Sequence, residues 1–152
     1  MGMGVLRGEG HGGKREHVIG LVIAAHGRLA REMVATAEQM VGALAACEPV
    51  EVTPGSPPEA IAAQLKDAVA RVDDGSGVLV LTDLLGGTPC NQSLSLCQQR
   101  RLEVLAGVNL PMLLKASTLR GEGGTLESLA EALTVYGQKH ITHATALLRG
   151  AR

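Results

Sequence analysis

Two continuous apolar segments constrain the fold of this chain more than any other feature. They are residues 18–25, VIGLVIAA, and residues 77–82, GVLVLT. A strand buried on both faces of a parallel sheet has apolar side chains at nearly every position, whereas a strand with one wet face alternates. The two segments therefore predict two central strands of a parallel sheet.

Helical patterns follow these strands. Apolar residues recur at helical spacing from Leu29 to Val41. Ser56 and Glu59 have the spacing of a capping box, with Pro57 at the first helical position, so they predict the start of a second helix. Pro89 predicts the start of a third helix, on which the spacing of Cys90 and Cys97 indicates two buried positions.

The remaining segments complete an alternation of strands and helices. We expect a short edge strand at 49–53, a fourth strand at 102–106, a short helix at 110–119 and a long helical stripe from Leu126 to Leu147. On that stripe His140 is expected to be a partly buried packing residue. The alternation predicts an α/β fold with an open, doubly wound, mainly parallel sheet and helices on both faces.

Length and composition restrict the domain organisation and the partners. The 152 residues suffice for one domain, which we assign to residues 17–152, and residues 1–16 are expected to form a glycine-rich mobile tail. A net charge of -1 and a single aromatic residue argue against nucleic-acid binding. No apolar run approaches the roughly 20 residues that span a bilayer, and three cysteines without a CxxC pair suit the cytoplasm.

Two polar residues follow the central strands and are candidates for chemistry. His26 directly follows the first apolar segment and Asp83 follows the second. If these strands are neighbours, as in the common doubly wound order, the two side chains emerge side by side at the edge where ligands bind. A carboxylate that accepts a hydrogen bond from one ring nitrogen leaves the other nitrogen free to act as a nucleophile.

The segment after Asp83 suits a phosphoryl group. Gly86, Gly87 and Thr88 supply small residues and a hydroxyl immediately before the helix that Pro89 starts. The backbone N–H groups at a helix N-terminus favour anions. We therefore expect phosphorus to be the electrophile that His26 attacks. No cluster with metal-ligand spacing occurs, so no metal or other cofactor is expected.

Three segments resemble the IIA domain of the mannose family of the bacterial phosphoenolpyruvate-dependent sugar phosphotransferase system. They are VIAAHG at 22–27, VLTDLLGGTPCN at 80–91 and AGVNLPM at 106–112. The resemblance runs from about residue 17 to the end of the sequence, and its D-x-x-G-G-[ST]-P core is far more specific than a lone histidine.

The resemblance implies a phosphohistidine relay in sugar uptake. The phosphocarrier HPr would phosphorylate His26, Asp83 would orient the ring, and Gly27, Gly86, Gly87 and Thr88 would line the phosphoryl site. The phosphoryl group would then pass to a separate IIB protein. The resemblance also implies a homodimer, often formed in this family by exchange of a strand near the carboxyl end.

Two other interpretations are compatible with parts of the sequence. A receiver domain also ends its third strand with an aspartate, and Lys115 follows an apolar segment, but the first strand here ends in Ala24, Ala25 and His26 instead of the acidic residues that would hold Mg²⁺. A regulatory, phosphorylation-dependent interaction protein of an incomplete phosphotransferase system would keep His26 as the acceptor without sugar transport.

Overall fold

The computed structural model describes residues 17–150. The predicted tail, residues 1–16, lies outside the described residues. The elements follow in the order β1 (Gly20–His26), α1 (Leu29–Val41), β2 (Cys47–Val52), α2 (Pro58–Val72), β3 (Val78–Thr82), α3 (Thr88–Leu96), β4 (Leu102–Ala106), α4 (Leu110–Leu119), α5 (Leu126–Lys139) and α6 (Ala144–Leu148).

The four strands form one parallel sheet in the order β2-β1-β3-β4. The two apolar segments are the central strands, as predicted, and all five residues of β3 are buried. The order reverses between β1 and β3, which is the position where open α/β sheets bind ligands.

Alternate residues of the central strands face two separate cores. Leu21, Ile23 and Leu81 pack with residues of α1, α4 and α5 on one face. Val22 and Val80 pack with residues of α2 and α3 on the other face. The predicted fold class, with helices on both faces of a parallel sheet, is confirmed.

The predicted capping box at the start of α2 is wrong. Pro57 has an extended conformation with φ -62° and ψ 143°, it occupies the N-cap position, and no side chain caps the helix. The reason is Pro58, because a proline disfavours the helical conformation of the residue before it. The helix therefore begins one residue later than the sequence pattern suggests.

The long carboxyl-terminal stripe is two helices instead of one. α5 ends at Lys139 and α6 begins at Ala144. Ile141 and Thr142 lie between them, and β-branched residues are poor helix formers. Ile141 and Leu148 are 79% and 87% exposed, so no core within the described chain holds this part of the stripe together.

Two expectations about burial also fail. Cys90 is buried as predicted, but Cys97 at the C-cap of α3 is exposed, and its Sγ donates to the carbonyl of Ser93 on the same helix at 3.6 Å. His140 is exposed as well, and its ring stacks on Tyr136 with centroids 3.8 Å apart.

Candidate functional site

His26 and Asp83 meet at the carboxyl end of the sheet. His26 is the last residue of β1 and Asp83 directly follows β3, so the pairing of these two strands brings them together. Nδ1 of His26 lies 2.9 Å from Oδ2 of Asp83, and the same oxygen accepts the backbone N–H of His26 at 3.0 Å. The predicted juxtaposition of the two side chains is confirmed.

The carboxylate of Asp83 is held in its charged form. Burial pushes its pKa upwards, but hydrogen bonds from the backbone and side chain of His26 outweigh burial, and the pKa lies below the ordinary aspartate value. Its second oxygen, Oδ1, accepts the backbone N–H of Leu84 at 3.0 Å. A carboxylate can only accept hydrogen bonds, so the contact between Nδ1 of His26 and Oδ2 of Asp83 assigns the proton of the neutral ring to Nδ1.

The geometry therefore leaves Nε2 of His26 as the unprotonated nitrogen. The side chain of His26 is 46% exposed, whereas that of Asp83 is 12% exposed. Within the part of the chain that the structure describes, no group forms a hydrogen bond with Nε2. The ring thus combines a fixed orientation with a nitrogen that has no described hydrogen-bond partner, on a half-exposed side chain.

Residues 84–87 form a loop against this ring. Gly86 has a φ of +82°, a backbone conformation that residues with a side chain rarely adopt. A Cβ atom on Gly87 would lie 2.7 Å from Cε1 and 3.4 Å from Nε2 of His26, so the imidazole occupies the space that a side chain would fill. The loop can approach the ring this closely only because residue 87 is glycine.

α3 begins where this loop ends. Thr88 is the first residue of the helix and Pro89 the second. Among the described residues, none accepts a hydrogen bond from the N–H of Thr88, and none forms a hydrogen bond with its hydroxyl. These polar groups of the first turn are therefore available to a bound anion.

Gly27 and Arg28 offer fewer groups to a bound anion than the loop and the start of α3 do. The N–H of Gly27 donates to the carbonyl of Val52 at 2.9 Å, so it is not available to a phosphoryl oxygen. Arg28 is exposed and lies 3.6 Å from Glu32, which agrees with a solvated arginine at the helix start. Lys115 belongs to α4, where its Nζ lies 5.5 Å from the centre of the Tyr136 ring.

Two features of the site were given no role by the sequence reasoning. Leu84 and Leu85 are 59% and 81% exposed directly beside the histidine–aspartate pair. Asn91 donates from Nδ2 to the carbonyl of Gly86 at 3.1 Å. The signals were present in the sequence, as two apolar residues inside a polar loop and an asparagine one turn into the following helix.

Comparisons with known proteins decide the family. The model of the EIIA-man family, described as the PTS system fructose IIA component, matches residues 20–134. The chain belongs to this family. It is a phosphotransferase-system IIA component of the mannose type, and the receiver-domain interpretation is set aside.

Relatives and solved structures agree with this assignment. The mannose-specific EIIAB component of Escherichia coli K12 is 30% identical over 124 residues, which are 81% of this chain and 38% of that protein. The chain thus spans well under half the length of this curated relative. Solved structures include a mannose/sorbose-specific IIA subunit from Enterococcus faecalis, which is 32% identical with a TM-score of 0.75 and covers 82% of this chain and 93% of its own.

A second solved structure gives the same result. The phosphotransferase system component EIIA from Streptococcus agalactiae is 27% identical with a TM-score of 0.78, and the match covers 84% of this chain and 98% of that chain. Separately, among residues 17–150 no helix combines the length and the apolar character needed to cross a membrane.

Proposed function

We propose that this IIA component is a phosphohistidine carrier. His26 accepts a phosphoryl group from the phosphocarrier HPr and passes it to a IIB protein during sugar uptake. The observation that carries the proposal is the contact of 2.9 Å between Nδ1 of His26 and Oδ2 of Asp83, which leaves Nε2 free at the carboxyl end of the sheet. We place the reaction in the cytoplasm, because the sequence has three cysteines without a CxxC pair, which suits a reducing compartment.

The proposed step is an in-line displacement at phosphorus. The lone pair of Nε2 attacks the phosphoryl group, a new N–P bond forms, and the bond from phosphorus to the donor atom breaks with its electron pair left on the donor. The imidazole becomes positively charged as it attacks, and the carboxylate of Asp83 stabilises this charge through Nδ1–H. Positioning and electrostatics supply most of the rate in such transfers.

The proposed phosphoryl site is the loop from Gly86 to Thr88. The N–H and hydroxyl of Thr88 lie at the start of α3 without a described partner, and the partial positive charge of a helix N-terminus favours phosphoryl oxygens. Gly87 lacks the Cβ that would clash with Cε1 of His26, so the loop and the ring can lie side by side. Gly27 follows His26 with a φ of +61°, and its N–H is already bound to the carbonyl of Val52.

A protein donor fits this site better than a small molecule. His26 lies on an open surface beside two exposed leucines, Leu84 and Leu85. Exposed apolar residues that surround a reactive polar group are typical of protein interfaces, where they exclude water from the contact. The relative from Escherichia coli is named an EIIAB component, which agrees with a IIB protein as the acceptor.

The proposal includes a homodimer. β4 is an edge strand, and a groove of about 210 Å³ runs beside it, lined by residues that include Val104, Leu105 and Ile141. An exposed edge strand next to apolar residues is a surface that another strand can extend. Sedimentation equilibrium should give the mass of two chains, and Ile141→Glu should shift it to one; a wild-type mass of one chain at the highest concentration would reject the dimer.

The test of the carrier function is a mass measurement. The protein is incubated with phosphoenolpyruvate, Enzyme I and HPr, beside His26→Ala and the matched control His143→Ala, because His143 is a histidine on an exposed segment outside the site. We expect one acid-labile, alkali-stable phosphoryl group on the wild type and on His143→Ala, and none on His26→Ala. Phosphorylation of His26→Ala, or none of the wild type, would reject the proposal.

A further inference from the structure

The side chain of Asn91 forms a hydrogen bond with the glycine loop and does not pack into the core. It is an exposed residue of α3, yet its Nδ2 donates to the carbonyl of Gly86 at 3.1 Å. Its backbone N–H also donates to the carbonyl of Gly87 at 2.9 Å, the first hydrogen bond of the helix. One residue therefore binds two consecutive carbonyl groups of the glycine loop.

These contacts fix the peptide group between Gly86 and Gly87 at both ends. Its carbonyl is bound by the Asn91 side chain, and its N–H donates to the carbonyl of Leu84 at 3.3 Å. Glycine backbones lose more conformational freedom on folding than any other, so an unbound pair of glycines would sample many conformations. The side chain of Asn91 removes that freedom at the point where the loop meets the imidazole.

The position of this peptide matters because of how closely it lies to His26. The site of a Cβ on Gly87 is 2.7 Å from Cε1 of the ring, so a small shift of the loop would close or open the space beside Nε2. A misplacement of about 1 Å can cost about 10²-fold in rate when it disturbs reacting groups. Holding the loop therefore contributes to the transfer step itself.

We propose that Asn91 is a positioning residue for phosphoryl transfer, which holds the Gly86–Gly87 peptide at a fixed distance from Nε2 of His26. This proposal rests on the proposed carrier function. Asparagine suits the task because its amide donates a hydrogen bond without charge, whereas an aspartate of the same shape would bring a negative charge to a carbonyl oxygen and to an incoming phosphoryl group.

The experiment measures single-turnover phosphoryl transfer from phosphorylated HPr at a series of HPr concentrations. Two variants remove the donor, Asn91→Asp with the same shape and Asn91→Ala with no charge. Ser95→Ala is the matched control, because Ser95 is exposed on the same helix and its hydroxyl donates only to the carbonyl of Asn91. Hydrogen exchange of the Gly87 amide reports on the loop directly.

We expect the maximal rate to fall about 10-fold in Asn91→Ala and further in Asn91→Asp, with the half-saturating HPr concentration within about two-fold of wild type. The Gly87 amide should exchange faster in both variants and not in Ser95→Ala, and the thermal midpoints should match that control. Such a pattern separates positioning from general stability, which would lower the midpoint without changing the maximal rate of folded protein.

Two results would overturn the assignment of Asn91. Wild-type maximal rates in both variants would mean that the contact does not position the loop, and a raised half-saturating concentration at unchanged maximal rate would mean that Asn91 acts in docking. If the wild type itself accepts no phosphoryl group from HPr, the carrier function fails and this assignment fails with it. If the wild type is phosphorylated and the variants equal it, only the assignment fails.

Discussion

Each end of the sheet has one nitrogen-bearing side chain that is held by hydrogen bonds. The two side chains differ in exposure and in whether one nitrogen is left without a partner. At the carboxyl end, Asp83 binds one nitrogen of His26 and leaves the other free on a side chain that is 46% exposed. At the amino end, the guanidinium of Arg120 is buried and donates to the carbonyl oxygens of Ile19, Ala45 and Ala46.

The difference separates reactive from structural use of a nitrogen group. Arg120 directs its terminal nitrogens at backbone carbonyls just before β1 and β2, and so fastens the end of α4 to both strands. Burial lowers the pKa of this guanidinium, with the neighbouring Cys47 opposing the shift. A group enclosed in this way can stabilise the fold, whereas a group that reacts must keep one accessible atom without a partner.

The largest expected effect at the carboxyl end comes from Asp83→Asn. The amide can turn its NH₂ towards Nδ1, which moves the ring proton to Nε2 and removes the nucleophilic lone pair. We expect phosphoryl transfer from HPr to slow by about 10²-fold or more, while the free energy of unfolding changes by about 1 kcal/mol. Rapid-quench transfer assays and urea unfolding measure the two quantities.

A control keeps this result specific. Asp74→Asn removes a carboxylate that accepts the N–H of Val18 at the opposite end of the sheet, and it should leave the transfer rate unchanged. If Asp83→Asn transfers at the rate of Asp74→Asn, orientation of the ring by Asp83 is unimportant and the contrast between the two ends loses its basis.

Arg120→Met should give the opposite pattern. Three backbone carbonyls lose a charged donor in a buried setting, although that of Ala46 keeps the N–H of Leu21, so we expect the free energy of unfolding to fall by about 3 kcal/mol. The transfer rate per folded molecule should stay at the wild-type value, because the affected contacts lie at the far end of β1. Arg149→Met is the control for stability, since Arg149 is exposed. A slowed transfer in folded Arg120→Met would mean that the two ends are coupled.

A smaller effect is expected from the exposed leucines beside His26. Leu85→Ser removes an apolar side chain that is 81% exposed, and we expect the half-saturating concentration of phosphorylated HPr to rise about 10-fold at an unchanged maximal rate. Met40→Ser is the control, because Met40 is 61% exposed in the last turn of α1, at the amino end. Equal transfer curves for the two variants would argue against docking on Leu85.

The smallest effect concerns the thiol at the amino end. Burial raises the pKa of Cys47 to about 11, despite the opposing charge of Arg120. The folded protein keeps the thiol neutral at a pH where the unfolded chain ionises it, at about 8.5 and above. The resulting stability is present below that pH and is lost as the pH rises towards 11.

The measurement is urea unfolding between pH 8 and pH 10.5 or so, on wild type and Cys47→Ala. We expect wild type to lose stability with rising pH more steeply than Cys47→Ala. Cys97→Ala should keep most of the wild-type slope, because Cys97 is exposed, although burial and Glu103 also raise the pKa of its thiol. Parallel slopes for wild type and Cys47→Ala would show that the thiol of Cys47 ionises in the folded protein as readily as in the unfolded chain.

The carboxyl end could be predicted from the sequence and the amino end could not. The apolar strands that end at His26 and Asp83 carry a local signal, and the parallel topology converts it into a spatial one. The role of Arg120 depends on contacts with Ile19, Ala45 and Ala46. These residues are separated from Arg120 by 101, 75 and 74 positions in the sequence, and no local pattern marks contacts of that range. The sequence contains only an arginine near the end of a short helix.

Smaller errors have the same origin in competing local rules or absent packing. Pro58 overrode the capping box at Ser56, and the apolar stripe beyond Lys139 did not become one helix because no described core covers it. Asn91 was visible inside the glycine-rich motif, but its contact with Gly86 depends on the loop conformation that the φ of +82° at Gly86 creates.

The most direct test of the account is to identify the phosphorylated atom. Long-range ¹H–¹⁵N spectra and ³¹P spectra of the phosphorylated protein distinguish phosphorus on Nδ1 from phosphorus on Nε2 of a histidine. We predict a single phosphohistidine at His26 with phosphorus on Nε2, because Asp83 occupies Nδ1. Phosphorus on Nδ1 of His26, or on any other residue, would contradict it.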